Sequence, residues 1–191
     1  MEPFTDLHIG IANAWIFMLW QIILPFLASY LLRGTDAYKR LSTNPSMKHE
    51  KLLNATSMAI LFLGFLYSIV LPLKFDTIFF YIGLSIFILS LVLYLSTIFT
   101  VKHAQPGKPF TDGPYRFSRH PFYVAILLIF LSIIVMSLSV IFLLFTLIYI
   151  WHFILFASAE EEDCLRNYGK AYQAYMEETP RWLGVPRLKG K

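Results

Sequence analysis

Two polar segments of this chain carry the residue types that grip charged ligands. The first reads Asp112-Gly113-Pro114-Tyr115-Arg116 and continues Arg119-His120-Pro121-Phe122-Tyr123. The second begins Glu160-Glu161-Glu162-Asp163 and runs through Leu165, Tyr168-Gly169, Tyr172 and Tyr175 to Pro180-Arg181. A guanidinium forms paired bonds to a carboxylate, and carboxylates accept from ammonium or ribose hydroxyl groups. Together the segments suit a zwitterionic ligand, such as a cofactor that bears an amino acid.

The segments can act together only if the fold joins them, and the residues between them say how. An unbroken apolar run extends from Phe122 to Phe156. One bilayer crossing takes about 20 helical residues at a rise of about 1.5 Å each, so the run is too long for one helix and long enough for two short ones. It predicts a helical hairpin turning at Met136-Ser137-Leu138-Ser139, where hydroxyl groups satisfy the backbone freed at the bend. A tight hairpin returns both ends to one membrane face, which predicts that the Arg-His-Pro segment meets the Glu pair.

Three further apolar stretches, 11–32, 52–73 and 77–100, each suit one span. The expected fold is all-α: an integral membrane helical bundle of about five transmembrane helices, the last two forming the hairpin, with a cytosolic C-terminal helix. That helix either begins at the acidic residues Glu160 to Asp163, which suit a helix N-terminus, or continues the fifth span; Pro180 marks its end. The chain is expected to be a single membrane-embedded domain over residues 1–191, with three spans in 1–100 and the cofactor-binding half in 101–191.

Composition points the same way. Of 191 residues, 57% are hydrophobic and 15% charged, with mean hydropathy +0.60, far too apolar for a soluble domain of this size. The net charge of +4 does not indicate nucleic acid, because the basic residues interleave with apolar spans and form no stripe. They report topology instead, since Lys and Arg collect in cytoplasmic loops. Arg33, Lys39, Arg40, Lys48 and Lys51 follow the first span. Lys102, Lys108, Arg116 and Arg119 follow the third, and Arg166, Lys170, Arg181, Arg187, Lys189 and Lys191 follow the hairpin. With five spans and the N-terminus outside, all sixteen basic residues except Lys74 lie inside. A four-span reading would put the basic tail outside. The first ten residues hold no Lys or Arg and no signal-peptide cleavage site, so the first apolar stretch is expected to stay.

Several chemistries lose support. Cys164 is the one cysteine, which excludes an internal disulfide and a thiolate cluster built by this chain alone. His8, His49 and His103 fall in different loops or ends with no His-x-x-x-His spacing, so no metal site is expected. There is no Gly-x-Gly to cradle a dinucleotide as a Rossmann turn does.

The ordered pattern of Gly113-Pro114-Tyr115-Arg116, Arg119-His120-Pro121-Phe122-Tyr123, an apolar hairpin, then Glu160-Glu161, Leu165, Tyr168-Gly169, Tyr172, Tyr175 and Pro180-Arg181 resembles the isoprenylcysteine carboxyl methyltransferase and phospholipid methyltransferase superfamily. The resemblance covers roughly 101–183; the first hundred residues match only as generic spans. It implies a membrane methyltransferase that binds S-adenosylmethionine in the C-terminal half and methylates a lipophilic small-molecule or lipidated acceptor entering from the bilayer. By the same resemblance His120, Tyr123, Glu160 and Glu161 hold the cofactor, with Tyr115, Arg116, Arg119 and Pro121 beside them and Arg181 closing the pocket from the tail. No general base is assigned. The acidic run has four members, so the choice of pair rests on counting back from Gly169.

Each feature has a plainer reading. Arg116 and Arg119 could be snorkelling anchors for lipid headgroups, His120 before Pro121 a helix cap, and Tyr123 an interfacial belt aromatic. The acidic run could be a solvated helix face, although it abuts a span where charge is expensive. His152 in the fifth span suits a bond across helices better than a ligand contact. Two other functions compete: a sterol-reductase-like oxidoreductase using NADPH, for which five spans look few, and a non-enzymatic helical membrane protein, which would need no convergence of Arg119, His120 and Glu160. A monomer could contain the whole site.

Overall fold

The computed structural model describes residues 7, 9–36, 38, 39 and 50–186; Arg40, Lys48, Arg187, Lys189, Lys191, His8 and His49 lie outside the described residues. Among those described, the elements are helices with no sheet. They are α1 (Trp15–Met18), α2 (Trp20–Leu32), α3 (Glu50–Val70), α4 (Ile78–Lys102), a 3₁₀ turn (Gly113–Arg116), α5 (Pro121–Ser137), α6 (Val140–Tyr168) and α7 (Lys170–Glu178). Trp15–Leu32, Lys51–Val70, α4 and α6 are long and apolar enough to cross a membrane. The fifth apolar helix, α5, has 17 residues and spans about 25 Å, a few ångströms short of a typical hydrocarbon core of about 30 Å. Their outer faces are those of a bilayer protein: Phe26, Phe62, Leu63, Val92, Leu144 and Leu147 are all exposed.

The hairpin turns where its residues allow. Leu138 adopts the left-handed conformation at φ 56°. Ser139 caps α6 by accepting from the Phe142 amide at 3.1 Å, Ser137 donates back to the Ile133 carbonyl, and the Met136 carbonyl accepts from the Lys74 amide at 2.9 Å. Tyr67 on α3 bonds Ser139 Oγ at 2.9 Å, tying the turn to the bundle. Backbone groups freed at the bend are thus satisfied by local hydroxyls and a neighbouring loop, as a bend inside a membrane protein requires.

The tightest packing lies between α4 and α5. A Cβ added at Gly83 would meet Met136 and lie 2.8 Å from the Ser132 carbonyl, so only glycine lets these backbones approach so closely. At the same end, Asn13 donates to the Ile69 carbonyl at 2.8 Å and the Ala14 amide to the Leu71 carbonyl at 3.0 Å. These bonds satisfy carbonyls that the end of α3 leaves without helical partners.

Of the two readings of the acidic run, the structure takes continuation. Glu160 to Asp163 do not open a helix; they lie inside α6, which runs 29 residues to Tyr168 before breaking at Gly169, φ 52°. Nothing before Gly169 interrupts helical geometry, and α6 is about 43 Å long. A membrane core is filled by about 20 residues from Val140, so Glu160 stands where hydrocarbon gives way to the polar interface.

Candidate functional site

The hairpin brings its ends together. Pro121 occupies the first position of α5, where its missing N–H costs nothing and its fixed φ suits a helix start. His120 therefore sits at the N-cap position, but its side chain makes no capping bond. Both imidazole nitrogens instead face carboxylates: Nε2 lies 3.1 Å from Glu161 Oε1 and Nδ1 lies 3.2 Å from Glu160 Oε2. Two acceptors call for two protons. Burial disfavours the charged imidazole, yet the bonds and charges of Glu160 and Glu161 outweigh it and raise the His120 pKa above its ordinary value near 6.5.

Glu161 is the hub. Its side chain is 3% exposed, and it receives Arg181 through Nε at 3.1 Å and through a second guanidinium nitrogen at 2.5 Å. Such forked pairing suits a guanidinium and fixes both partners. Arg119 Nε also lies 3.1 Å from Glu161 Oε1, but without the alignment of a hydrogen bond, so the contact is ionic and leaves a buried N–H of Arg119 unsatisfied. Another Arg119 nitrogen donates to the Met176 carbonyl at 3.4 Å. Glu160 differs: its side chain is 41% exposed and accepts a short bond from the Tyr123 hydroxyl. Glu162 is exposed, and Asp163 pairs with Arg166 one turn along. Of the four acidic residues, Glu160 and Glu161 are the pair turned to the cluster.

An aromatic column runs from this cluster into the bundle. His120 stacks on Tyr123 at 5.4 Å, Tyr123 on Phe153 at 4.6 Å, and Tyr149 meets Phe153 edge-on at 4.8 Å. Tyr123 is thus half-buried, stacked between His120 and Phe153 and bonded to Glu160.

Past α7 the chain returns as a strap over the site. The Arg119 amide donates to the Pro180 carbonyl at 3.0 Å and the Gly184 amide to the Phe117 carbonyl at 3.0 Å, so 117–119 and 180–184 run side by side. Ser118 Oγ accepts from the His120 amide and donates to the Arg181 carbonyl. Arg181 reaches Ser158 as well as Glu161, and Trp182 lies 5.9 Å from the His120 ring. Tyr175 donates to the Tyr115 carbonyl at 2.7 Å, and burial pushes the Tyr172 and Tyr175 hydroxyls well up, so they stay protonated donors.

Arg119, His120, Tyr123, Glu160, Glu161 and Arg181 therefore meet. Tyr115 is buried nearby against Phe110, but its hydroxyl makes no hydrogen bond to the cluster among the described residues. Pro121 contributes the helix start rather than a polar contact, and Arg116 is exposed outside the cluster. Ser118, Phe153, Ser158 and Trp182 also join the site, through contacts the sequence pattern does not mark. Only Ser158 had a signal, standing three residues before Glu161 on the same helix face. His152 bonds Thr56 across helices at 3.2 Å, away from the cluster.

Residues 78–171 match the phospholipid methyltransferase family. That segment belongs to the family. The match starts at the first residue of α4 and ends two residues into α7, so it contains the hairpin, both carboxylates and the Arg-His-Pro segment, while the Arg181 strap lies beyond it. Comparison with curated proteins and with solved structures gave no match. The family and the apolar helices support a membrane methyltransferase.

Proposed function

We propose that this membrane methyltransferase uses S-adenosylmethionine and passes the methyl group to a lipophilic acceptor that enters from the bilayer. The observation that carries the reading is the cluster at the hairpin mouth: two guanidiniums, an imidazole and two carboxylates, with a buried Arg119 N–H still lacking an aligned acceptor. The donor set fits the cofactor. Arg119 and Arg181 suit its carboxylate, and the open face of Glu160 suits its ammonium or ribose hydroxyls.

Bound there, S-adenosylmethionine supplies a methyl group on a sulfonium, open to in-line displacement without a metal. What the chain must do is align donor and acceptor and exclude water. Glu161 is buried and holds Arg119, His120 and Arg181, so it is a positioning residue, whereas Glu160, although it meets Tyr123 and His120, is 41% exposed and is the carboxylate a ligand can reach. The strap from Thr179 to Gly184, with Trp182 over His120, shields the site from the aqueous side. The aromatic column of Tyr123, Phe153 and Tyr149 closes the inner side of the cluster with apolar surface. No step in this scheme needs a general base if the acceptor atom is already a carboxylate.

The Lys and Arg distribution supports an outward N-terminus and a cytosolic site, which a charged cofactor can reach directly. The test is methyl transfer from S-adenosyl-[methyl-³H]methionine by purified protein in nanodiscs, supplied in turn with a prenylated cysteine and with phosphatidylethanolamine. Label in the organic phase, lost in Glu160→Gln, supports the reading. No label with any lipophilic acceptor, from protein that is folded, would overturn it.

A further inference from the structure

A second feature lies on the other side of the Ser118–Pro121 segment from the polar cluster. Pro121 and Val124 sit three residues apart on α5 and share a face, whereas His120 and Tyr123 turn to the carboxylates. That other face, with Leu93 of α4, Phe117 and Leu183 of the strap, walls a groove of about 360 Å³. Its hydroxyls are committed: Ser96 donates to the Leu93 carbonyl and Ser118 to the Arg181 carbonyl. The groove therefore offers a polar ligand no obvious partner and suits hydrocarbon.

Its setting names the source of that hydrocarbon. Leu93 and Ser96 are in the last three turns of α4, and Pro121 is the first residue of α5, so the groove lies where the spans meet the polar loops. Phe117 and Leu183 at its rim are 52% and 72% exposed. Beside Phe117 stands Arg116, exposed and making no hydrogen bond or ion pair among the described residues. An apolar slot with an exposed cation next in the chain to its lining residue Phe117 is complementary to an anionic amphiphile.

We propose that this groove between the end of α4 and the start of α5 binds one acyl chain of an anionic bilayer lipid, whose headgroup Arg116 holds, at a site separate from the methyl-transfer centre. The lipid is a resident of the groove and is not the acceptor.

The experiment uses the full chain in nanodiscs containing either phosphatidylglycerol or phosphatidylcholine with a photoactivatable acyl chain, and maps the labelled residues by mass spectrometry. Wild type is expected to concentrate phosphatidylglycerol label on Leu93, Phe117 and Leu183. Arg116→Ala should cut that label about five-fold, the equivalent of roughly 1 kcal/mol for one arginine at an anionic surface, and leave phosphatidylcholine labelling unchanged. Val124→Trp, which fills the slot, should remove both. S-Adenosylhomocysteine binding by Arg116→Ala keeps a folding failure from passing for a lipid effect. Label spread evenly over all lipid-facing helices, or an Arg116→Ala map identical to wild type, overturns the proposal. So does a transferred methyl group found on the crosslinked lipid, which would make the groove the acceptor's. Failure of wild type to bind S-adenosylhomocysteine would count against the proposed function and leave the label map to decide this site.

Discussion

The mouth of the α5–α6 hairpin and the interior of the spans use polar side chains in opposite ways. Within the spans, Ser68, Ser85, Ser90, Ser96, Thr97 and Ser132 each donate to a carbonyl three or four residues back on their own helix. Such a bond hides the hydroxyl and asks nothing of another helix. At the mouth, Arg119, His120, Tyr123, Glu160, Glu161 and Arg181 bond across elements far apart in sequence. The first pattern makes a chain acceptable to a bilayer. The second is costly unless completely paired, and it marks where charged ligands are handled.

Within the mouth the same contrast recurs between adjacent carboxylates, and substitutions can sharpen it. The largest effect is expected from Glu161→Ala, which strands three cationic partners around a buried position; loss of about 3–5 kcal/mol is typical when one member of a buried ion pair is removed. A strong fall in thermal midpoint together with lost S-adenosylhomocysteine binding would fit. Glu160→Gln should separate the two properties. Its carboxylate is 41% exposed, and Gln can keep a bond to Tyr123 while losing the charge that faces His120, so stability should fall by less than in Glu161→Ala, while ligand affinity drops on the order of ten-fold or more for one lost charge-assisted bond. If both substitutions were equally destabilising, the division between a holding and a receiving carboxylate would be wrong.

A packing control comes next. Gly83→Leu should destabilise by about 1–3 kcal/mol through overpacking of α4 on α5, with ligand affinity unchanged in the protein that still folds. Unfolding scans paired with calorimetry distinguish this from damage at the mouth.

The pH effect is smaller and has a definite sign. The His120 pKa is raised in the folded protein, so its contribution to stability is fully present below its ordinary value near 6.5 and is lost as pH rises through the folded value. Melting in detergent from pH 6 upward should show a decline that His120→Gln flattens. An unchanged slope in that variant would contradict the paired imidazolium. Smallest of all, Arg166→Ala removes an exposed pair with Asp163 and should change stability by no more than about 0.5 kcal/mol.

The parts legible in the sequence were those set by length and by strong local chemistry. An apolar run too long for one crossing gave the hairpin, and Ser137 and Ser139 marked its turn. The hairpin in turn required Arg119-His120 to meet Glu160-Glu161. The strap was not legible beyond Arg181, because 180–184 is held by backbone pairing to 117–119 and leaves no periodic pattern. Ser118 likewise looked like any small residue, since its role depends on two partners supplied by the fold. Acidic residues occur at helix starts and on helix faces alike, so the course of α6 through Glu160 to Asp163 could be foreseen only as one of two readings.

The most direct test of the central claim is calorimetric titration of detergent-purified, folded protein with S-adenosylhomocysteine and, separately, with NADPH, in wild type and in His120→Ala. The account predicts saturable binding of S-adenosylhomocysteine to wild type, its loss in His120→Ala, and no heat from NADPH. Wild-type protein that binds NADPH and ignores S-adenosylhomocysteine would contradict it.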